Sequence, residues 1–407
     1  MSLFGLFSSA KKSETVLIVS IGSATVATAF ISIDKGVTKV NGISTADISV
    51  LSDLTLERFE KEMEKALRKA LAGLSKFRTH APDRVTVFFS SPWYASQVRV
   101  AKMSRPQPFV VTKTLINDMI ARELKAFEDE EITAKSGNTK PLRAIESKVI
   151  QVKLNGYATT DPINLSATEM EISIFLSVAE EATLVHVEDI LQSQYHKPIT
   201  FSTFLSASFI VTRDFFPHQN DYLLVDIGGE VTDITLVRDF ALVQSISIPF
   251  GRNYVLRKLA SALRRSVPEA ISLCNLYMED KVESSMKEAC TKIFEDIKTG
   301  WLDAFQKALF SVSNELSLPD TVFVSVNPDV ESWFIDTIRK EKFNQYALTE
   351  KEFKVAVLNS AVFHGHLEWK DDVPRNSCII IEALACSRLA EHARPLGESK
   401  DREKSKK

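Results

Sequence analysis

The sequence predicts an α/β fold with two lobes and an inserted α+β module. Strand patterns alternate with amphipathic helix patterns along the chain, which is typical of α/β sheets. Two strand–turn–strand patterns, far apart in the sequence, each bend at glycine. With 407 residues and 44% hydrophobic content, the chain can build more than one core.

Composition excludes several classes of protein. The 50 Lys and Arg residues are balanced by 53 Asp and Glu residues, so no polycationic face is expected and we predict no nucleic acid partner. The four cysteines form no C-x-x-C pair and are too sparse for a disulfide framework. We therefore expect free thiols in a reducing compartment.

The longest apolar run covers residues 16–33 and has about the length of a membrane span. Polar residues interrupt it, its apolar residues are largely β-branched, and Gly22-Ser23 stands where a tight turn needs glycine. The run therefore predicts a hairpin of strands 16–21 and 25–33. A helix over about 56–77 follows from apolar residues at three- and four-residue steps.

The later elements follow from the same rules. For the module, the patterns predict strands over 84–91, 97–102, 147–154 and 168–178, a helix over 113–128 and a loop over 129–140. Beyond it they predict strands over 199–201, 222–229, 230–237, 241–249 and 321–326, and helices over 180–194, 204–216, 255–263, 281–316, 330–340 and 379–392.

The domain organisation predicted from these elements has five parts. They are an N-terminal tail (1–13), a first lobe (14–82, completed by about 179–204 and 341–394), the inserted module (83–178), a second lobe (205–340) and a charged tail (395–407). The last tail lacks aromatic residues and cannot form a core, so we expect it to be disordered.

The two glycine turns are the strongest candidates for chemistry. A glycine turn exposes backbone N–H groups that can face an anion, and an acid at the end of a strand can hold a metal. In the second turn Asp226 is that acid and Gly228-Gly229 form the bend. In the first turn Ser20 precedes Gly22, and the equivalent acid is missing.

The order of these motifs resembles the actin-like, or ribonuclease H-like, ATPase superfamily. The motifs are the I-G-S-A-T turn, the inserted module, the sequence V-D-I-G-G-E-V-T-D over 225–233 and the following Phe250-Gly251 turn. Within the superfamily the chain is similar to a divergent member of the bacterial FtsA and PilM branch, in which an SHS2-type module lies between the two phosphate loops. The resemblance covers about residues 14–340.

The resemblance implies a site for ATP and Mg²⁺ between the lobes. The residues that it assigns to the nucleotide are Gly22, Ser23, Thr25, Asp226, Gly228, Gly229, Thr232 and Gly251, with Asp226 near the metal. Three features depart from the family: Ser20 replaces the acid of the first loop, Glu230 replaces a small residue, and Ser325-Val326-Asn327 stands where a Gly-Gly adenosine loop is expected. We expect little or no hydrolysis, since phosphoryl transfer depends on positioning and charge neutralisation, and ATP binding stays open.

The function implied by the resemblance is a cytoplasmic scaffold at the inner face of the cell membrane. An FtsA-like adaptor that binds the tubulin-like division protein is slightly favoured by the segment 155–162. A PilM-like scaffold that holds the tail of a pilus inner-membrane protein is the alternative, and Leu3–Phe7 also looks like that group. A nucleotide-switched ATPase is the third possibility, and self-association stays open. The charged tail has no apolar face, so we expect membrane association to be indirect.

Two further candidates are weaker. His364 and His366 form an H-x-H pair without a third ligand at recognisable spacing, so a strand with two exposed imidazoles is favoured over a metal site. Trp93-Tyr94 either binds a partner or packs a turn against the inserted module.

Overall fold

The computed structural model describes residues 13–34, 36–77, 81–134, 140–313, 317–340 and 352–392. The predictions for Leu3–Phe7 and for the charged tail lie outside the described residues. Within the described ranges, no helix is both long and apolar enough to cross a lipid bilayer. The four cysteines are free, as predicted.

The strands and helices confirm the α/β class. The strands are β1 (Glu14–Ile21), β2 (Thr25–Asp34), β3 (Val37–Asp47), β4 (Arg84–Phe89), β5 (Ala95–Val110), β6 (Leu142–Leu154), β7 (Tyr157–Thr159), β8 (Ser166–Glu180), β9 (Ile199–Thr203), β10 (Tyr222–Ile227), β11 (Thr232–Arg238), β12 (Ala241–Ile248), β13 (Thr321–Val326), β14 (Lys354–Val357) and β15 (Glu368–Trp369). The helices are α1 (Leu56–Leu74), α2 (Lys113–Ala134), α3 (Glu181–Tyr195), α4 (Phe204–Phe215), α5 (Arg252–Leu263), α6 (Val267–Met278), α7 (Ser284–Ser313), α8 (Glu331–Lys340) and α9 (Ser377–His392).

The first lobe is built on a six-stranded sheet in the order β15-β3-β2-β1-β4-β9. β1 pairs antiparallel with β2 and parallel with β4, so the apolar run 16–33 is a hairpin, as predicted. In β1, the residues from Val16 to Val19 are fully buried, which is typical of a central strand whose two faces are both covered. One face packs on α1 through residues such as Phe59 and Leu67.

The second lobe is built on a five-stranded sheet in the order β12-β11-β10-β13-β14. β10 pairs antiparallel with β11 and parallel with β13, which repeats the arrangement of the first lobe. The core beside it contains Trp301, Phe294 and Phe305 of α7 with Leu256 of α5. The two hairpins therefore occupy equivalent central positions in their sheets.

The inserted module has a four-stranded antiparallel sheet in the order β5-β8-β6-β7. Its own core joins this sheet to α2 through Ile116, Met119 and Phe127. The SHS2-type label for this α+β module stays a prediction.

The helices α4 and α9 pack against both lobes. One core contains Val16 of β1, Leu224 of β10, Phe204 and Leu205 of α4 and Ile380 of α9. The lobes thus share a continuous apolar core rather than meeting only through a linker.

Strand pairing places two segments in a different part of the fold from the one predicted. β4 was expected to open the inserted module, but it pairs in parallel with β1 and β9 and so belongs to the first sheet. Residues 354–357 were expected in the part of the chain that completes the first lobe, but they form β14, which pairs with β13 and extends the second sheet. In both cases the partner strand lies far along the chain, where local sequence patterns carry no information.

Three local predictions were wrong. The predicted loop 129–140 begins as helix, because α2 continues to Ala134 and Glu130 receives two hydrogen bonds from Arg99 of β5. Glu230 lies in the second turn rather than in a strand, since β11 begins only at Thr232. His364 and His366 lie in a turn, not a strand, around Gly365 at a φ of +84°.

Glu146 of β6 joins the inserted module to the start of α4. Its carboxylate is buried and accepts hydrogen bonds from the Ser202 hydroxyl (2.6 Å), the Thr203 hydroxyl (2.7 Å) and the Thr203 N–H (3.1 Å). Lys148 pairs with Glu146 and also donates to Ser206 (2.8 Å). The module is therefore fixed to the helix that packs between the lobes.

We predict that Glu146→Ala lowers the free energy of unfolding by about 2–4 kcal/mol, because it leaves the buried donors of Ser202 and Thr203 without this acceptor and Lys148 without its carboxylate partner. The measurement is chemical denaturation. The control is Glu171→Ala in the same module, whose carboxylate forms more exposed ion pairs with Lys102 and Lys153 and is expected to contribute about 0–1 kcal/mol. Equal effects of the two substitutions would contradict the role given to Glu146.

Candidate functional site

The first glycine turn (residues 22–25) connects β1 to β2. The Gly22 N–H donates to the Thr25 carbonyl (3.0 Å), and the Gly22 carbonyl accepts from the Trp93 indole N–H (2.7 Å). Trp93 is itself buried and stacks on Phe59 of α1, with ring centroids 4.5 Å apart. Trp93 thus packs against α1 and fixes the first turn to the first lobe.

The second glycine turn (residues 228–231) connects β10 to β11 and is closed from behind by α5. The Gly228 N–H donates to the Val231 carbonyl (2.9 Å). The first backbone N–H groups of α5 donate to this turn, from Arg252 to the Gly228 carbonyl (2.9 Å) and from Asn253 to the Gly229 carbonyl (2.7 Å). The helix N-terminus, which could otherwise bind an anion, is therefore occupied by protein carbonyls.

Gly251 is required for this packing. A Cβ at Gly251 would lie 2.5 Å from the carbonyl oxygens of both Gly228 and Gly229. The Thr232 hydroxyl also belongs to this contact, because it donates to the Phe250 carbonyl (2.8 Å) and is fully buried. Gly251 and Thr232, both assigned to the nucleotide from sequence, bind the protein's own backbone here.

The two turns touch each other directly. A Cβ at Gly229 would lie 2.6 Å from the Ala24 nitrogen and 2.6 Å from the Ser23 carbonyl carbon. The Glu230 N–H donates to the Ser23 hydroxyl oxygen (3.0 Å), and Ser23 is 1% exposed. The structure brings the predicted site residues together, but it places them against one another. We call the contact between residues 22–25 and 228–232 the seam.

Glu230 was expected beside the phosphates, but its carboxylate is held by α5. It accepts hydrogen bonds from Asn253 (2.8 Å) and from both terminal nitrogens of Arg257 (2.5 and 3.0 Å). The side chain is buried, so this bidentate pair neutralises a charge that would otherwise be costly in the interior.

Acidic residues lie beneath the seam. Asp226 and Asp233 are directly opposite each other on β10 and β11. Burial, together with the charge of Asp233, raises the pKa of Asp226 to about 8, although a hydrogen bond from Ser325 opposes the shift. Burial also raises the pKa of Asp233. Both carboxyls therefore favour the protonated form more than exposed aspartates do.

Glu382 is the residue that sequence reasoning missed. It projects from α9, is fully buried and accepts a hydrogen bond from the Ser20 hydroxyl (2.6 Å), while its Oε2 atom has no hydrogen-bond partner. Burial holds its pKa well above the usual range, and the charge of Asp226 contributes. A carboxyl from helix α9 thus lies beside Ser20 of β1, the position at which the resemblance expects an acid. The only sequence signal is an acid inside the apolar run 379–386.

These residues do not fit ATP and Mg²⁺ in this arrangement. Mg²⁺ prefers ionised carboxylates and water, whereas burial favours the protonated forms of Asp226 and Glu382. Among the residues that the structure describes, no three His, Cys, Asp or Glu side chains form a group able to hold a metal. The cavity beside Asp226 has a volume of about 10 Å³, room for about one water molecule.

The expected adenosine loop also differs. Ser325 and Val326 lie within β13, so only Asn327 belongs to the loop that follows. Beyond it, Asp329 forms an ion pair with Arg252 at the start of α5, with a shortest distance of 2.5 Å.

Comparison with known proteins supports the fold. No family model and no curated protein matches the chain. A solved PilM-PilN type IV pilus biogenesis complex matches with a TM-score of 0.61 at 10% identity, over 93% of this chain and 99% of that chain. The chain has the actin-like ATPase fold. This confirms the fold class and the actin-like resemblance predicted from the sequence.

Two other matches are weaker. The ethanolamine utilization protein EutJ from Carboxydothermus hydrogenoformans has a TM-score of 0.43 at 12% identity, over 93% of this chain and 90% of that chain. A protein from Bacteroides thetaiotaomicron with an actin-like ATPase fold and unknown function has a TM-score of 0.39 at 10% identity, over 94% of this chain and 99% of that chain.

We predict that Asp226→Asn stabilises the protein increasingly as pH rises. The folded carboxyl holds its proton up to about pH 8, whereas the unfolded chain releases it near pH 3.8. Folding takes up a proton between these values, so the free energy of unfolding falls as pH rises across this window. Asparagine removes this dependence.

The measurement is the melting temperature Tm between about pH 5 and pH 8.5, within the window set by linkage. The difference in Tm between Asp226→Asn and the wild type should grow with pH and level off near pH 8. A difference for Asp226→Asn that is independent of pH would contradict the buried, protonated carboxyl.

Proposed function

We propose that the chain is a PilM-like scaffold that holds a short segment of a pilus-assembly membrane protein, on the cytoplasmic side of the membrane. The observation that carries the proposal is an apolar groove between the first lobe and the inserted module. Support also comes from the match over nearly the whole chain to PilM, which was solved as a complex with PilN.

The groove has a volume of about 400 Å³. It is lined by Leu56, Pro92, Trp93, Tyr94, Ala95, Leu142, Val178, Ala179, Glu180 and Thr183. Among these residues, the Leu56 side chain is 46% exposed, so it is available for contact with a partner. A concave, mostly apolar surface of this volume suits a few side chains of an extended peptide. The charged lining residue Glu180 is paired with Lys140 (2.7 Å).

The groove walls are fixed, which favours binding without rearrangement. Trp93 forms part of the wall and is held by its stack on Phe59 and its hydrogen bond to Gly22. On the module side, Val178 and Ala179 belong to β8, the strand that pairs with both β5 and β6. A preformed groove limits the entropy lost when a peptide binds.

The other two roles have less support. Only the sequence segment 155–162 favours the FtsA-type division role, which stays a prediction, as do indirect membrane association and self-association. The nucleotide-switched ATPase requires ATP and Mg²⁺ between turns that contact each other, so we expect little or no hydrolysis.

The test is crosslinking in cells followed by purification of the tagged protein, with a groove variant and a matched control. We expect pilus inner-membrane proteins to be enriched with the wild type. Leu56→Glu should reduce that enrichment at least about tenfold, because it places a charge in the apolar groove. Leu165→Glu, at 45% exposure outside the groove, should not reduce it.

Enrichment of the tubulin-like division protein would instead support the FtsA-type role. Enrichment of pilus proteins that is unaffected by Leu56→Glu would keep the partner but overturn the groove as its binding site.

A further inference from the structure

We propose, independently of the partner proposed above, that the seam replaces the nucleotide: direct contact between the two glycine turns holds the lobes closed, and ATP does not bind between them. In an actin-like fold, two turns facing each other across a cleft suggest a triphosphate site. Here the two turns contact each other, and three of their backbone N–H groups donate to acceptors in the protein.

The space between the two glycine turns is too small for a phosphate group. Gly229 approaches the first turn so closely that even one added carbon would overlap the backbone, at 2.6 Å from both the Ala24 nitrogen and the Ser23 carbonyl carbon. Gly228 is nearly as close, with a Cβ position 3.2 Å from the Ser23 hydroxyl oxygen. A phosphate group is larger than a methyl group, so it requires separation of the turns.

Several backbone N–H groups of the two turns already donate to acceptors in the protein. Phosphate sites at turns use backbone N–H groups that have no protein acceptor. In the seam, the N–H groups of Gly22, Gly228 and Glu230 donate to Thr25, Val231 and Ser23, respectively. The hydroxyl oxygen of Ser23 thus stands in for a phosphate oxygen as the acceptor for Glu230.

Separating the turns would disturb the shared core and the buried carboxyls near the turns. The lobes are joined by a core that contains residues of α4, α9 and the strands β1 and β10, which lead into the two turns. Glu382 and Ser20 of the first lobe also lie near Asp226 of the second lobe. Opening the seam would therefore expose apolar surface and buried carboxyls as well as break the Ser23–Glu230 hydrogen bond.

A matched pair of substitutions separates a seam from a nucleotide cleft. Both Gly22 and Gly229 are assigned to phosphate by the resemblance, so in a nucleotide cleft both alanine variants would mainly weaken ATP binding. In the seam they differ. A Cβ at Gly22 meets only the Thr25 carbonyl of its own turn, at 3.2 Å, whereas a Cβ at Gly229 meets the backbone of the opposite turn.

The experiment measures Tm of the full chain by differential scanning calorimetry, with and without Mg-ATP. We expect Gly229→Ala to lower Tm by roughly 1–4 °C, the effect of overpacking in a chain of 407 residues, and Gly22→Ala to lower it by about 0.5 °C or less. Ser23→Ala, which leaves the Glu230 N–H without an acceptor, should lower Tm by about 1–3 °C and is a second variant if Gly229→Ala does not fold.

Titration of the wild type with Mg-ATP needs no variant. A bound nucleotide at about a hundred times its Kd should raise Tm by roughly 3–8 °C, and we expect no rise up to millimolar Mg-ATP. A rise of that size would overturn the proposal, even if the closed seam were the nucleotide-free form. Equal, small effects of Gly22→Ala and Gly229→Ala would overturn the seam itself.

Discussion

The contact between Gly229 and the Ser23-Ala24 backbone is the constraint on which the rest of the structure depends. It brings the two hairpins, one from each sheet, into direct contact, and only glycine at position 229 allows that approach. Gly251 then brings α5 against the back of the second turn, and Trp93 holds the first turn from the other side. Residues that the resemblance assigns to phosphate thus pack against one another where the lobes meet.

The charged groups near the seam are consistent with a joint that excludes water. Glu230 is neutralised by Arg257, while Asp226, Asp233 and Glu382 have raised pKa values because of burial. The groove is in contact with this region through neighbouring aromatic residues. Trp93 donates to the first turn, and burial together with the charges of Asp233 and Asp226 raises the pKa of Tyr94. A partner segment in the groove would thus lie against the residues that support the seam.

The sequence predicts the hairpins, most helices and the α/β class because their signals are local. β-branched runs around Gly22 and Gly228 and the apolar repeat of α1 need no distant partner to be recognised. The predictions missed β3, β7, α6, β14 and β15 and placed β4 in the inserted module. Of these, β4, β14 and β15 pair with strands distant in the sequence, which no local pattern reveals. At the site, the turns were predicted, but their mutual contact and the place of Glu382 beside Ser20 depend on how the lobes pack, which no local pattern encodes.

The seam is tested most directly by hydrogen–deuterium exchange of the backbone amides in residues 20–26 and 226–234, with and without Mg-ATP. If the turns bind each other, the Glu230 amide donates to Ser23 and therefore exchanges as slowly without nucleotide as the amides of β10 do. Adding Mg-ATP then leaves the exchange rate of this amide unchanged. Fast exchange of these turns that becomes slow only when Mg-ATP is added would contradict the seam and restore a nucleotide cleft between the lobes.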